Sequence, residues 1–269
     1  MSEILFIDSG VNTGRFNMAC DYHFARNGLN APIFRVYRWK PYCISLGYHQ
    51  KIEEIDREKL TESGIDIVRR ETGGRAVYHA DELTYSMIIP QNSEFYSDSI
   101  MEVYNRISTA LVDGLKRSGV EMAELERGEA PDFKGLYKEK LSSICFSSTS
   151  TFEVVAGGKK LVGSAQKRMK GAVLQHGSML VGNRHLDLID YLNISDKLKS
   201  RFKEQVGYKT TTVENLLNIR EDQFNEFYVK LTDNLKLAIK EIFGVPVIDY
   251  YLTESDRDSI KNSEQYFVE

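Results

Sequence analysis

The sequence is poor in the residues that staple small folds or gather metals. Its 269 residues include three cysteines, Cys20, Cys43 and Cys145, an odd number at wide spacing. That excludes a disulfide framework, and no C-x-x-C pair offers a zinc site. The five histidines, His23, His49, His79, His176 and His185, form neither HxH nor HxxxH spacing, so no zinc is expected. The five prolines are dispersed, and no Pro-rich linker marks a domain boundary. No apolar run approaches the ~18 residues of a membrane span. The opening MSEILFIDSGVNTG has no basic leader, so no signal peptide is expected. A formal net charge of -4 gives no basic bias toward nucleic acid. These absences leave a cytoplasmic protein with neither a membrane nor a nucleic-acid partner.

What is present is a 42% hydrophobic chain, enough for one large α/β domain with or without a small appendage. ILFI, IFRVYRW and YCISLGYH read as strands, with MACDYHFARNG between the first two as a helix ended by Gly28. IDREKLTESG has helix formers with Gly64 past the end. IDIVRR and RAVYH read as strands. In LTYSMII, period two puts Leu83, Tyr85, Met87 and Ile89 on one face. The short ADE before it fits a hairpin turn. Ser99 and Glu102 form an S-x-x-E capping box for a helix over 99–118, with Val103, Tyr104, Ile107, Ala110, Leu111 and Leu115 as its core stripe and Gly119 as its stop. From about 220 the pattern is helical, with Phe224, Tyr228, Leu231, Leu235 and Ile242 at helical spacing, and YLTESDRDSIKNSEQYF as a polar terminal helix. The fold class is α/β, α+β-like, with a mixed and largely antiparallel sheet flanked by helices.

Three segments could carry chemistry. In RRETGGRAVYH, Arg69, Arg70 and Arg75 bracket Gly73 and Gly74. The segment fits a tight solvated loop first, and otherwise a loop whose glycines let the backbone approach an anionic ligand. It matches no nucleotide-binding pattern. In KKLVGSAQKRMKG, Lys159, Lys160, Lys167, Arg168 and Lys170 occur with no acidic residue. Edge protection of a strand and attraction of an anionic partner fit this window alike. In LSSICFSSTST, Cys145 lies among seven serines and threonines. Such a polar setting weakens the reading of Cys145 as an apolar filler, whereas Cys20 and Cys43 lie in apolar elements and keep it.

Hairpin register links the last two segments. With Gly157 and Gly158 as a two-residue turn, Ala156 pairs with Lys159, Val155 with Lys160, and Phe152 lies opposite Gly163. The cysteine loop then emerges beside Gly163 to Arg168, within folding-back distance of Lys160. An ammonium there would favour the thiolate and make it a nucleophile.

Together these motifs resemble the lipoate–protein ligase and octanoyltransferase superfamily, the biotin/lipoyl protein ligase catalytic-domain type. Arg69 to His79 is similar to its RRxTGGxAVxH loop, followed by ELTYS at 82–86. KLVGSAQKR at 160–168 is similar to its KxxGSAQxR segment, QHGS at 175–178 to its next strand, and ISLGYHQ at 44–50 to an earlier one. The resemblance runs from about residue 15 to 185. Cys145-Phe146, upstream of Glu153 and fifteen positions before Lys160, resembles the cysteine-bearing LipM-type octanoyltransferase branch. One departure is CFSSTST, where that branch more often has an acidic residue soon after the Cys-Phe pair.

The resemblance implies one acyltransferase catalytic domain over 1–269, mainly helical from about 220 to 269, with no accessory domain after it. It implies ping-pong transfer of octanoyl from octanoyl-acyl carrier protein to a lysine of a lipoyl domain such as the glycine cleavage H protein. Cys145 would carry the acyl group as a thioester and Lys160 would hold the thiolate. Backbone N–H groups of Gly163, Ser164 and Ala165 would stabilise the oxyanion. Gly73 and Gly74 would form part of an acyl tunnel, with Arg70, Arg75 and His79 at its rim and Gln166, His176 and Gly177 opposite. Neither ATP nor metal is implied. Lys167, Arg168 and Lys170 are the expected docking cations for acidic carrier domains, and the Cys145 loop is expected to be mobile. An ATP-dependent lipoate ligase, an amidotransferase taking octanoyl from H protein, and a non-catalytic acyl binder are the alternatives.

Overall fold

The computed structural model describes residues 2–27, 30–127 and 152–269. Cys145 and its hydroxyl-rich neighbours, with the mobility expected of them, lie outside the described residues. The elements run β1 (Ile4–Asn12), α1 (Gly14–Asn27), β2 (Ile33–Trp39), β3 (Cys43–Leu46), α2 (Arg57–Glu62), β4 (Asp66–Arg69), β5 (Val77–His79), β6 (Glu82–Pro90), α3 (Ile100–Arg117), β7 (Ala123–Arg127), β8 (Phe152–Ala156), β9 (Lys159–Met169), β10 (Ala172–Leu180), α4 (Asp196–Lys209), α5 (Val213–Leu217), α6 (Phe224–Phe243), β11 (Val247–Asp249) and α7 (Glu254–Ser263). None of the described helices is long and apolar enough to cross a membrane.

An eight-stranded sheet has the order β11-β1-β2-β6-β10-β9-β8-β7, and a three-stranded sheet the order β4-β3-β5. The large sheet is parallel from β11 to β2 and antiparallel from β2 to β7. The expected mixed, mostly antiparallel sheet is what the chain builds. The helical C-terminal stretch differs from expectation in one respect. It contributes β11 to the sheet edge beside β1.

Period two sorts the central strands into two faces. Leu83, Tyr85, Met87 and Ile89 of β6 join the core under α3 and α6. That core takes the expected α3 residues Val103, Ile107, Ala110, Leu111 and Leu115, and Phe224, Tyr228, Leu231 and Leu235 of α6. Two expected residues are exceptions: Tyr104 is half-buried and outside that core, and Ile242 is 36% exposed, with Ile239 the buried residue of that turn. At α3 the Ser99 hydroxyl accepts from the Glu102 N–H, but the Glu102 carboxylate accepts from Ser97, so the capping box is half formed. The opposite face of the sheet meets α1 and α7, with Met18, Phe24, Ile88, Leu174 and Ile260 among its buried residues.

The hairpin expected between β5 and β6 does not form. β5 pairs with β3 in the small sheet, whereas β6 pairs with β2 and β10 in the large one. Residues 80–81 are a corner between sheets. Asp81 takes a left-handed φ of 46° there, and its carbonyl accepts from Val181 and Gly182. The small sheet therefore lies over the face opposite α3 and walls off a space above β6, β9 and β10.

The Gly157–Gly158 hairpin forms as expected, with φ of 58° and 70° and the pairs Ala156–Lys159 and Val155–Lys160. The register beyond it differs. Val154 pairs with Val162, so Leu161 is an extra residue, and Phe152 does not lie opposite Gly163. This β-bulge sends both Leu161 and Val162 into the α3-side core. It returns Gly163 and Ala165 to the face that carries Lys160. Without it, strict alternation would put Lys160 and Gly163 on opposite faces.

Candidate active site

The space between the sheets is a slot of about 30 Å³, bordered by Met18 of α1, by Ser45, Arg70 and Val77 in and beside the small sheet, and by Tyr37, Trp39, Gly163, Ser164, Ala165, His176, Gly177 and Ser178 of the large one. Such a volume has room for one or two waters. His79 and Thr84 complete its lining. Seven of the expected site residues thus meet around one apolar slot: Arg70, His79, Gly163, Ser164, Ala165, His176 and Gly177.

Two buried relays hold the slot's polar wall. Asp21 of α1 lies 3.4 Å from His176 Nδ1, and His176 Nε2 lies 2.6 Å from the Thr72 hydroxyl. Burial pushes the Asp21 carboxyl up, but Arg35, His176 and Ser86 outweigh it and hold the carboxyl below its ordinary 3.8. Burial pushes His176 below its ordinary 6.5, although Asp21 opposes this. A neutral His176 beside an ionised Asp21 donates from Nδ1 and accepts the Thr72 O–H at Nε2. In the second relay, Glu82 Oε1 lies 2.8 Å from His79 Nδ1, and His79 Nε2 lies 2.8 Å from Ser45 Oγ. Ser45 Oγ also accepts from Arg70 Nη1 at 3.1 Å.

Both relays end on the glycine loop. Thr72 belongs to it, and Arg70 donates to the carbonyls of Gly73 (2.9 Å) and Arg75 (2.6 Å). Arg70 and His79 are buried, so they lie beneath the loop and not at a rim. Arg70 works as a brace for the loop backbone. Gly73 and Gly74 are exposed, and Arg75 is half-buried. Gly47 explains the closeness of the packing, because a Cβ there would lie 2.0 Å from the Gly74 carbonyl oxygen. His79 also stacks on Trp39, with centroids 3.9 Å apart and an interplanar angle of 15°. That stack separates the slot from a second, more polar cleft of about 220 Å³ that also reaches Tyr42, Asp81, Glu82, Phe224 and Tyr228.

Gln166 does not join the slot. Its Nε2 donates to Gln175 Oε1 at 3.2 Å, and Gln175 donates to the Tyr85 hydroxyl, all on the α3 side. Strand alternation puts Gln166 there once Gly163 and Ala165 face the slot. Ser164 borders the slot while its hydroxyl meets Tyr85 at 2.7 Å.

Lys160 is nine-tenths buried, and its Nζ lies 2.7 Å from Glu153 Oε1. It stands three residues before Gly163, roughly 10 Å along the strand. Its backbone is fixed from the side, since Thr211 N–H donates to the Lys160 carbonyl. Beyond Val162, β9 pairs with β10 alone among the described residues, so every second N–H there points away from the ladder.

The basic window is not an unpaired patch. Lys167 pairs with Glu71 at 2.8 Å, and Arg168 contacts Asp98, Tyr96 and the Ser97 carbonyl. Lys170 is exposed at the turn before Gly171. Cys20 and Cys43 are fully buried, and burial pushes the Cys20 thiol up to about 12. Both are inert packing, as expected.

Sequence reasoning gave no site role to Asp21, Ser45, Thr72, Trp39, Glu82 or Glu153. For Glu153 a signal existed. Val155 pairs with Lys160 across the turn, and Glu153, two residues further, shares the face of Val155.

The chain is similar to several known proteins over most of its length. The family profile described as the lipoyl protein ligase A/B catalytic domain matches residues 13–236. Octanoyltransferase LipM of Macrococcus caseolyticus is 38% identical over 89% of this chain and 90% of its own. Octanoyltransferase LipM of Staphylococcus epidermidis is 38% identical over 99% and 97%. Among solved structures, the bipartite lipoate protein ligase from Thermoplasma acidophilum superposes with a TM-score of 0.74 at 22% identity, covering 98% of this chain and 92% of that one. The superposition shows a shared fold. The profile match spans the glycine loop, Lys160 and the strands that frame the slot, and with the two relatives it establishes that the chain belongs to the lipoyl protein ligase A/B catalytic domain family.

Proposed function

We propose that this protein is an octanoyltransferase of lipoate biosynthesis, moving octanoyl from acyl carrier protein to a lysine of a lipoyl domain in the cytoplasm. The observation that carries this reading is the match to relatives named Octanoyltransferase LipM along nearly the whole of both chains. The apolar slot, with a buried lysine roughly 10 Å along β9 from Gly163, supports it. In the first half-reaction the Cys145 thiolate attacks the thioester carbon and the carrier leaves as a thiol. Lys160 supplies the positive charge that keeps Cys145 ionised. Outward N–H groups in the stretch from Gly163 to Ala165 donate to the oxyanion. In the second half-reaction the acceptor lysine amine attacks the Cys145 thioester, forms the amide and frees the thiol. The first half exchanges one thioester for another, and conversion of the Cys145 thioester to an amide drives the whole, so neither ATP nor a metal enters. The slot is too small for an eight-carbon tail, so it widens when the acyl chain enters. The acceptor we favour is a glycine cleavage H protein type of lipoyl domain.

Intact-mass measurement after incubation with octanoyl-acyl carrier protein, without ATP, tests the reading. One octanoyl adduct is expected, released by neutral hydroxylamine and absent in Cys145→Ser. Modification of a lipoyl domain that requires ATP and lipoate, with no adduct on the enzyme, would identify a ligase instead. An adduct formed from octanoyl-H protein but not from octanoyl-carrier would identify an amidotransferase.

A further inference from the structure

The Glu153–Lys160 pair raises a chemical difficulty. On the transferase reading, on which this inference rests, the enzyme passes an acyl group from a thioester to a lysine amine. On the same reading a lysine of its own, Lys160, stands beside that acyl group. A lysine sealed from water loses its proton readily, because burial penalises the ammonium by up to ~3–5 pKa units. A neutral Lys160 would be an acceptor in its own right. Its Nζ lone pair would attack the acyl carbon, the C–N bond would form and the C–S bond break. The sulfur would leave with the surplus nitrogen proton as a thiol. The product, an amide on Lys160, would be a dead end.

Glu153 opposes this. Its Oε1 lies 2.7 Å from Nζ, and the two side chains are 8% and 9% exposed, so little water screens the contact. The backbone enforces the meeting. The Gly157–Gly158 turn sets Val155 opposite Lys160, which brings Glu153 onto the Lys160 face, and the Leu161 bulge leaves that face continuous with Gly163 and Ala165. The carboxylate takes one of the three N–H donors of the ammonium.

We propose that Glu153 is a positioning residue that keeps Lys160 protonated, so that Lys160 serves as a fixed charge and does not take the acyl group itself. Any carboxylate would balance a charge. One that excludes a competing acceptor has a specific signature when it is removed.

The full-length chain, labelled with ¹⁵Nζ-lysine, reports the Lys160 charge directly by NMR. In the wild type an ammonium is expected through neutral pH. In Glu153→Gln its titration midpoint is expected to fall by ~2 units or more. Glu153→Asp, which keeps the charge but shortens the reach, is expected to fall between and serves if the glutamine variant folds poorly. Each protein is then incubated with octanoyl-acyl carrier protein at pH 7 to 9, treated with hydroxylamine, digested and mapped by mass. The wild type should retain no octanoyl after hydroxylamine. Glu153→Gln should retain an octanoyl amide on Lys160 that increases with pH. A neutral Lys160 in the wild type at pH 7 would overturn the proposal. So would an unmoved midpoint in Glu153→Gln, or a lowered midpoint with no amide on Lys160. Failure of the transferase reading looks different, since the wild type would then gain no hydroxylamine-labile adduct while the titration still answers for Glu153.

Discussion

Two buried carboxylate–cation pairs stand on the same side of the large sheet, and they are built differently. Asp21 and Arg35 meet at 2.7 Å with Arg35 fully buried. Arg35 gives three more of its donors to Ser9 Oγ, the Asn17 carbonyl and Asn17 Oδ1. Its guanidinium also lies 3.8 Å from the Tyr37 ring centre. Asp21 in turn accepts from Tyr37, Ser86 and His176. Glu153 and Lys160 are also buried, 8% and 9% exposed against 3% and 0% for Asp21 and Arg35, but the cation is a point charge on a flexible stem. An arginine fork fixes geometry and never gives up its proton, while a lysine changes charge when its surroundings change. The first pair clamps α1 to β2 and, through His176, to the glycine loop. The second controls a proton. Residue type, more than burial, separates an architectural pair from a chemical one.

Breaking the first pair should have the largest effect. Asp21→Ala leaves a fully buried guanidinium uncompensated, and urea denaturation should show a loss of about 3–5 kcal/mol. Replacing both partners sharpens the comparison. Glu153→Leu with Lys160→Met exchanges a pair for apolar side chains, and stability should stay within about 1 kcal/mol of wild type while octanoyl transfer is lost. Asp21→Leu with Arg35→Met should remain destabilised by at least about 2 kcal/mol, because Ser86, Tyr37, Asn17 and His176 are left without their partners. Equal stability of the two double variants would mean that the networks differ less than their hydrogen bonds indicate.

The sequence made one pair partly legible and the other not at all. Lys160 was found from its motif, and Gly157–Gly158 predicted its pairing with Val155. The bulge at Leu161 was not legible, because bulges without glycine leave no local mark and the apolar pattern LV suits a plain strand. The arginine pair could not be read, since Asp21 draws its partners from 14, 65 and 155 positions away. The β5–β6 corner misled for a related reason. Asp81 adopts a positive φ without the glycine that usually announces one. Both core stripes of β6 and α3 were clear, because burial of an apolar face imposes its own period. Polar residues buried by distant partners impose none, and they form one wall of the slot.

Acidity offers the gentlest probe, since each pair has a buried histidine beside it. His176 contacts Asp21, and His185 lies 2.9 Å from the hydroxyl of Thr210, which bridges to Lys160. Burial lowers His185 from 6.5 to about 4, against a hydrogen bond with the Gly182 backbone. A folded state that binds protons less readily than the unfolded one loses stability as pH falls. The His185 contribution is therefore complete above pH 6.5 and is lost progressively down to about pH 4, a change on the order of 3 kcal/mol. The His176 contribution runs in the same direction from 6.5 downward, and that of Asp21, whose folded value is lowered, is lost at still lower pH. Melting curves of His185→Asn should flatten between pH 6.5 and 4 while keeping the steeper fall below it. If instead the fall below pH 4 disappeared with His185, the acid sensitivity would belong to the lysine end of the sheet, and the Asp21–Arg35 clamp would not be the part that acid releases.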